Sequence, residues 1–319
     1  MTSVRDLSLS ELRRDLHSHP EAGWTEFRTV ALVAEELDER GYELALGAEA
    51  VDIDERLGVP DADEIQRARD RAEDLGAPET YLDRMGAVTG LVAEKTFGDG
   101  TGPVVGVRVD TDALEITESG DSDHRPQRDG FASRHPGEMH ACGHDGHTSI
   151  GVGIARKLDT DAEFAGTVKL LFQPAEEGGR GGLPMSRTDH LADIDHFIGI
   201  HLGLGNETGK IIAGYDRPLS NAKIDVEFRG ENLYSIPRHQ AGATRINVGR
   251  VESPNVQNAI SDLARMRIEV RGETAELNEY MLDSARRITE HAAGMHEVEY
   301  ETSLYGKTTT FEADDELVS

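Results

Sequence analysis

The sequence predicts an α/β domain built on a mostly parallel sheet, followed by a smaller α+β domain. Three observations carry this expectation. Apolar, strand-like runs alternate with helical periodicities as far as about residue 215. From Ala222 the pattern changes to successive strands around one long helix. The chain has 319 residues, 37% of them hydrophobic, enough for a sizeable core and a smaller one beside it.

The first helix follows an N-cap at Ser8 or Ser10 and runs to Leu16. In residues 24–40 apolar positions recur at Phe27, Val30, Val33 and Leu37, and Gly41 stops the pattern, so this stretch reads as an amphipathic helix. Residues 61–75 read as a charged helix. Residues 88–97 and 104–114 alternate like a pair of strands joined by the turn-rich 98–103 segment, GDGTGP. A long polar loop then runs from Thr117 to about His144. Beyond it the spacing predicts a helix over 146–158 and strands over 167–172, 197–201 and 210–215. The second domain reads as strands over 223–228, 244–251 and 264–270, a helix over 275–292 and a strand over 297–304.

Composition narrows the partners. The formal net charge is −28, with 61 acidic residues and only six lysines, so nucleic acid and anionic membrane surfaces are repelled. Acidic residues spread along the whole chain suit a protein kept soluble in a salty cytoplasm; a generic acidic surface is the plainer reading. No window approaches the roughly 18 apolar residues of a membrane span, and the first residues lack an apolar signal region. A cytoplasmic location is expected. The single cysteine, Cys142, cannot form an internal disulfide, which leaves packing, nucleophilic or ligand roles.

Four clusters could carry chemistry. Residues 139–147, MHACGHDGH, place one thiol, three imidazoles and a carboxylate at a loop-to-helix junction, where Cys142 and His144 can converge on one ion. A structural histidine cluster capping the helix is the bland alternative, and supporting or capping roles suffice for His140, Asp145 and His147. Glu176 and Glu177 are adjacent at the C-terminal end of an apolar strand, where open α/β sheets place ligands. One can bind metal while the other serves as general base; a solvated glutamate pair is the alternative. His201 closes the buried run FIGIH and is either a strand-end ligand or a core histidine. In 109–112, VDTD, alternation puts both carboxylates on one face; Asp112 could orient a histidine ligand or a metal, and Asp110 is less committed. Together the S, N and O donors suit zinc, manganese or cobalt. A competing enzyme reading makes Cys142 a thiol nucleophile with His144 as its base, which leaves Glu176, Glu177 and His201 unexplained.

At these residues the chain resembles the aminoacylase and carboxypeptidase type of dinuclear metal-dependent amidohydrolases, and within it the aminobenzoyl-glutamate hydrolase branch. The matching segments are 12–20, LRRDLHSHP; 23–28, GWTEFR; 107–114, VRVDTDAL; 124–132; 139–147; 172–178, FQPAEEG; and 199–201, GIH. The stretches around Trp24 and Asp129 favour that branch. The resemblance implies Cys142, His144, Glu177 and His201 as metal ligands, Glu176 as general base and Asp112 as an orienting residue. It also implies two divalent ions, Mn²⁺ or Zn²⁺ with Co²⁺ as a further choice, and hydrolysis of the amide of a small N-acyl amino acid. Residues 1–216 would form the catalytic domain, 217–308 an inserted lid that makes a homodimer, and 309–319 the start of a return to the catalytic domain.

Two departures from the family pattern stand out. The segment after the first lid strand, which in the family carries a histidine reaching the partner's site, has no counterpart where 228–230 runs into 231–237. The family's last metal-ligating histidine would lie beyond Ser319. His17, His19 and His239 are candidate substitutes, and Arg245 and Asn258 candidate substrate-carboxylate contacts. The rival from another class is a non-catalytic metal-binding module that keeps the fold.

Overall fold

Short-range chemistry sets the first helices. In the computed structural model, Ser8 accepts the Glu11 N–H while the Glu11 carboxylate accepts the Ser8 N–H, a reciprocal cap that starts α1 (Leu9–Ser18). The structure describes residues 4–160, 163–203, 206–207, 209–214, 220–228, 241–252, 263–296 and 298–309. Helix α2 (Phe27–Asp38) is capped from outside itself: the Glu21 carboxylate accepts the Arg28 and Thr29 N–H groups, each at 2.8 Å. The chain continues through β1 (Glu43–Leu46), α3 (Ala62–Asp74), α4 (Glu79–Met85), β2 (Leu91–Phe97), β3 (Val104–Asp110) and the short α5 (Arg125–Asp129). It then forms α6 (His144–Leu158), β4 (Gly166–Gln173), α7 (Gly182–Ser186) and β5 (His196–Gly199).

These strands form one sheet in the order β1-β2-β4-β3-β5. Its parallel character is confined to β4, β3 and β5, while β1 and β2 run antiparallel, so the sheet is mixed. The expected pairing of 88–97 with 104–114 does not occur. Strand β4, a nearly continuous buried apolar run, lies between them and pairs with both. The glycine-rich turn packs against the start of β4 instead: a Cβ on Gly102 would lie 1.9 Å from the Ala165 carbonyl oxygen. The strand expected over 210–215 is not formed over 210–214, and Tyr215 lies outside the described residues.

Register decides where the chemistry goes. Val109 faces Phe172 and Asp110 faces Gln173, while Arg108 faces Gly199, so β3, β4 and β5 end at one level. Helix α6 covers this end, and Gly151 makes the approach possible because a Cβ there would lie 2.8 Å from the Phe172 ring. Phe27, Val30, Leu37, Leu91, Leu170 and Phe172 are among the fully buried side chains of the core.

The chain divides into two compact units, one of residues 1–177 and 181–204, the other of residues 178–180 and 205–319. The second contains an antiparallel sheet, β7-β8-β6-β9, from β6 (Ser220–Phe228), β7 (Thr244–Glu252), β8 (Ala264–Gly272) and β9 (Tyr300–Thr308). Helix α8 (Ala275–Met295), capped by Thr274, buries Met281, Leu282 and Ala285 against Ile224, Met266 and Ile268. Residues 229–240, which include the departure after the first lid strand and His239, lie outside the described residues, as do Asn258 and 310–319. No helix among the described residues is long and apolar enough to cross a membrane.

Candidate metal centre

The ends of β3, β4 and β5 and the start of α6 bring together Asp112, Cys142, His144, Glu176, Glu177 and His201. Gly143 precedes α6 with φ +92°, a left-handed turn that glycine adopts at little cost, and it sets His144 in the first helical turn. The helix thus begins two residues earlier than its periodicity suggests. Three groups of potential ligand atoms each lie within 4.8 Å of one another: Cys142, His144 and His201; His144, Glu176 and Glu177; and Asp110, His144 and His147. His144 is common to all three.

Hydrogen bonds fix which ring nitrogens point into the site. His144 Nδ1 lies 3.2 Å from Asp112 Oδ1, which leaves Nε2 facing inward. That Nε2 is buried without a hydrogen-bond partner and sits 3.8 Å from carboxylate oxygens of both Glu176 and Glu177 and 3.7 Å from Asp110. His201 Nδ1 donates to the Leu202 carbonyl at 2.8 Å, and its Nε2 lies 3.5 Å from Cys142 Sγ. His147 differs. Its Nδ1 bonds Asp110 and its Nε2 accepts the Leu202 N–H at 2.8 Å, so both nitrogens are committed. The third group is therefore a support for the loop carrying His201, despite its spacing.

Asp112 and Asp110 do not act as a matched pair. Strand β3 ends at Asp110, which is held by His147 and by Arg108 at 3.1 Å. Asp112 lies past the strand end, where Oδ2 accepts the Glu177 N–H at 2.9 Å while Oδ1 meets His144. One carboxylate thus ties the glutamate pair to the histidine.

The electrostatics suit a cation. Burial alone would lower His144, yet the hydrogen bond to Asp112, the neighbouring Cys142 and the charges of Asp110 and Asp112 push it up to about 12. Burial, then the Asp112 and Glu176 charges, push Glu177 up to about 8. Glu176 is also raised, by burial first, with Arg108 opposing. The neighbouring His144, then the contact with His201, lower Cys142 to about 6. Four carboxylates, a thiol inclined to ionise and two imidazoles presenting Nε2 fit a divalent ion. The residues present fit a divalent metal of the kind the family pattern implies.

Sequence reasoning named Asp110, His147 and His17 without finding their partners. The supporting role expected of His147 is met by its bond to Asp110, a residue 37 positions away. His17, buried between Asp145 and Glu118 at 2.8 and 3.1 Å, joins segments too far apart in the chain to leave a local signal. Of the candidate substitutes, His17 is occupied by these bonds and His19 Nδ1 bonds the Asp15 carbonyl. Arg245 lies on β7 and bonds the Thr244 carbonyl.

Fold and site together define an α/β chain with a cluster of potential metal ligands at its strand ends, and comparison with known proteins supplies the class it belongs to. The sequence profile of Peptidase family M20/M25/M40 matches residues 106–318, and the chain belongs to that family. It is 41% identical to the indole-3-acetyl-aspartic acid hydrolase of Enterobacter agglomerans, over 95% of this chain and 75% of that protein. It is 40% identical to a p-aminobenzoyl-glutamate hydrolase subunit of Escherichia coli, over 94% of this chain and 74% of that one. Among solved structures, the aminobenzoyl-glutamate utilization protein of Klebsiella pneumoniae matches with a TM-score of 0.82 at 35% identity, covering 97% of this chain and 78% of the other. A dinuclear metal binding peptidase of Bacillus subtilis matches with a TM-score of 0.56 at 25% identity, covering 97% and 76%.

Proposed function

We propose that this chain hydrolyses the amide bond of an N-acyl amino acid in which an aromatic acyl group is joined to an acidic amino acid. The observation that carries this reading is the bare, buried His144 Nε2 facing the Glu176 and Glu177 carboxylates, beside Cys142 and His201. Two relatives at 40–41% identity bear names that share an aromatic acyl group and an aspartate or glutamate, which supports the substrate class.

In this reading Cys142, His144, Glu177 and His201 hold two divalent ions, Mn²⁺, Zn²⁺ or Co²⁺. When bound, such ions supply Lewis acidity that polarises the amide carbonyl and makes a water more acidic. The chain's own residues do the rest. Glu176, partly exposed toward the site, takes a proton from the attacking water and delivers it to the leaving nitrogen, releasing the free amino acid. A raised Glu176 pKa, caused first by burial, suits a group that must both accept and return a proton. Asp112 orients His144 and, through the Glu177 N–H, the turn that carries both glutamates.

The second unit is read as a lid and homodimer module. Edge strand β7, which exposes Ile246, Val248 and Val251, supports the pairing of copies there. The acidic surface suits a cytoplasm of high salt. The thiol-nucleophile reading leaves the carboxylates around His144 without a task. Release of aspartate from indole-3-acetyl-aspartate, and of glutamate from p-aminobenzoyl-glutamate, with added Mn²⁺ or Zn²⁺, tests the proposal; hydrolysis of neither substrate, with metal bound, would contradict it.

A further inference from the structure

We propose that Glu26 is a positioning residue for the general base, its buried carboxylate anchoring the Ala175 elbow from which Glu176 and Glu177 project. This rests on Glu176 being the general base. Ala175 has φ +46°, a left-handed conformation that disfavours any side chain with a Cβ. Something outside the local sequence must hold it. Both polar groups of its backbone are engaged: the N–H donates to Glu26 Oε1 at 2.7 Å, and the carbonyl accepts the Gly181 N–H at 2.9 Å. Two residues on, the Glu177 N–H donates to Asp112 Oδ2. Glu176 therefore lies between two backbone N–H groups, each fixed by a different carboxylate.

The plainer reading of Glu26 is a helix cap, since it sits at the N-cap position of α2. The structure assigns that work to another residue. The Glu26 side chain does not cap its own helix, whereas Glu21 takes the Arg28 and Thr29 N–H groups. Glu26 instead turns toward the strand ends, where its second oxygen accepts the Thr89 hydroxyl at 2.6 Å. The side chain is fully buried, and the Thr89 and Ala175 donors are both neutral. Burying a carboxyl group is costly unless its oxygens are hydrogen-bonded, and a shorter apolar residue would fill a packing role at lower cost. What only an acceptor can do at this position is hold the Ala175 N–H, and with it the direction in which Glu176 leaves β4.

The test compares the wild-type chain with Glu26→Leu, Glu26→Gln, Thr89→Val and Glu176→Gln, reading kcat, KM, bound metal and thermal unfolding. Glutamine keeps one oxygen for the Ala175 N–H, and the Thr89 hydroxyl can rotate to accept from its amide, so Glu26→Gln is expected to lose less than about threefold in kcat. Glu26→Leu removes the acceptor and is expected to lose roughly 10- to 100-fold in kcat, the scale of a small misplacement of a reacting group, with KM and metal content little changed. A folded Glu26→Leu chain with wild-type kcat would overturn the proposal. So would equal losses in both Glu26 variants with KM, metal content and unfolding temperature moving together, the signature of a purely structural residue. Should Glu26→Leu fail to fold, Thr89→Val is decisive: a severalfold lower kcat at unchanged KM supports the anchor, and unchanged kcat contradicts it. Wild-type turnover in Glu176→Gln would defeat the general-base reading itself, whereas an inactive Glu176→Gln beside a fully active Glu26→Leu defeats only the positioning role of Glu26.

Discussion

Asp112 Oδ1 lies 3.2 Å from His144 Nδ1, and this contact determines that His144 turns Nε2 toward the glutamate pair. The other oxygen of the same carboxylate takes the Glu177 N–H. An Asp112→Asn substitution keeps the shape but cannot serve both partners as an acceptor. It is expected to weaken metal binding or activity by about 10- to 100-fold, the usual effect of removing a partner that orients a ligand. Metal titration with parallel rate measurements checks this.

The proposed donor set predicts metal dependence. Chelation and dialysis should abolish turnover, and Mn²⁺, Zn²⁺ or Co²⁺ should restore it, with about two ions per chain at saturation. Cys142→Ser and His201→Ala should each bind roughly one ion fewer, because these side chains meet at 3.5 Å on the same flank of the site. Elemental analysis of the purified variants gives the answer, and undiminished stoichiometry in both would remove them from the ligand set.

Glu26 also predicts a pH dependence of stability. Burial, then the charge of Asp112, pushes its carboxyl from the ordinary 4.5 up to about 8. The folded chain therefore holds a proton there that the unfolded chain has lost. The stabilisation is complete below pH 4.5, declines as pH rises from 4.5 to 8, and is gone above 8. Glu26→Gln should flatten the decline in unfolding free energy across that window, which denaturant titrations at several pH values would reveal. An unchanged slope would count against it.

Packing at the sheet end makes a separate claim. Phe172 is fully buried between the sheet and α6, against Gly151. Phe172→Ala should cost about 3–5 kcal/mol of unfolding free energy. Gly151→Leu should also destabilise the chain, by about 1–3 kcal/mol, because it forces α6 away from the Phe172 ring. Chemical denaturation measures both.

Much of the site was legible because its donors are concentrated. Residues 139–147 place Cys142 and His144 two apart around a glycine, and the apolar runs leading to Glu176 and His201 mark strand ends by composition alone. The long helix α8 was equally plain, through its strong periodicity, while the strand expected over 297–304 forms over Tyr300–Thr308. What local patterns could not show was pairing across the chain. Strands β2 and β3 read as a hairpin because they are adjacent in sequence, whereas β4 separates them by virtue of its buried run on both faces. Strand β1 and helix α4 are too short to establish a period. Glu26 carries no local signal, since its partners, Thr89 and Ala175, lie far along the chain.

The most direct test of the account is kcat for an N-acyl acidic amino acid in Glu176→Gln against wild type, with metal content measured on the same samples. The account predicts a fall of about 10²- to 10⁴-fold with metal content unchanged, as expected for removal of a general base. Wild-type turnover in the variant would contradict the assignment of Glu176 and the proposed mechanism with it.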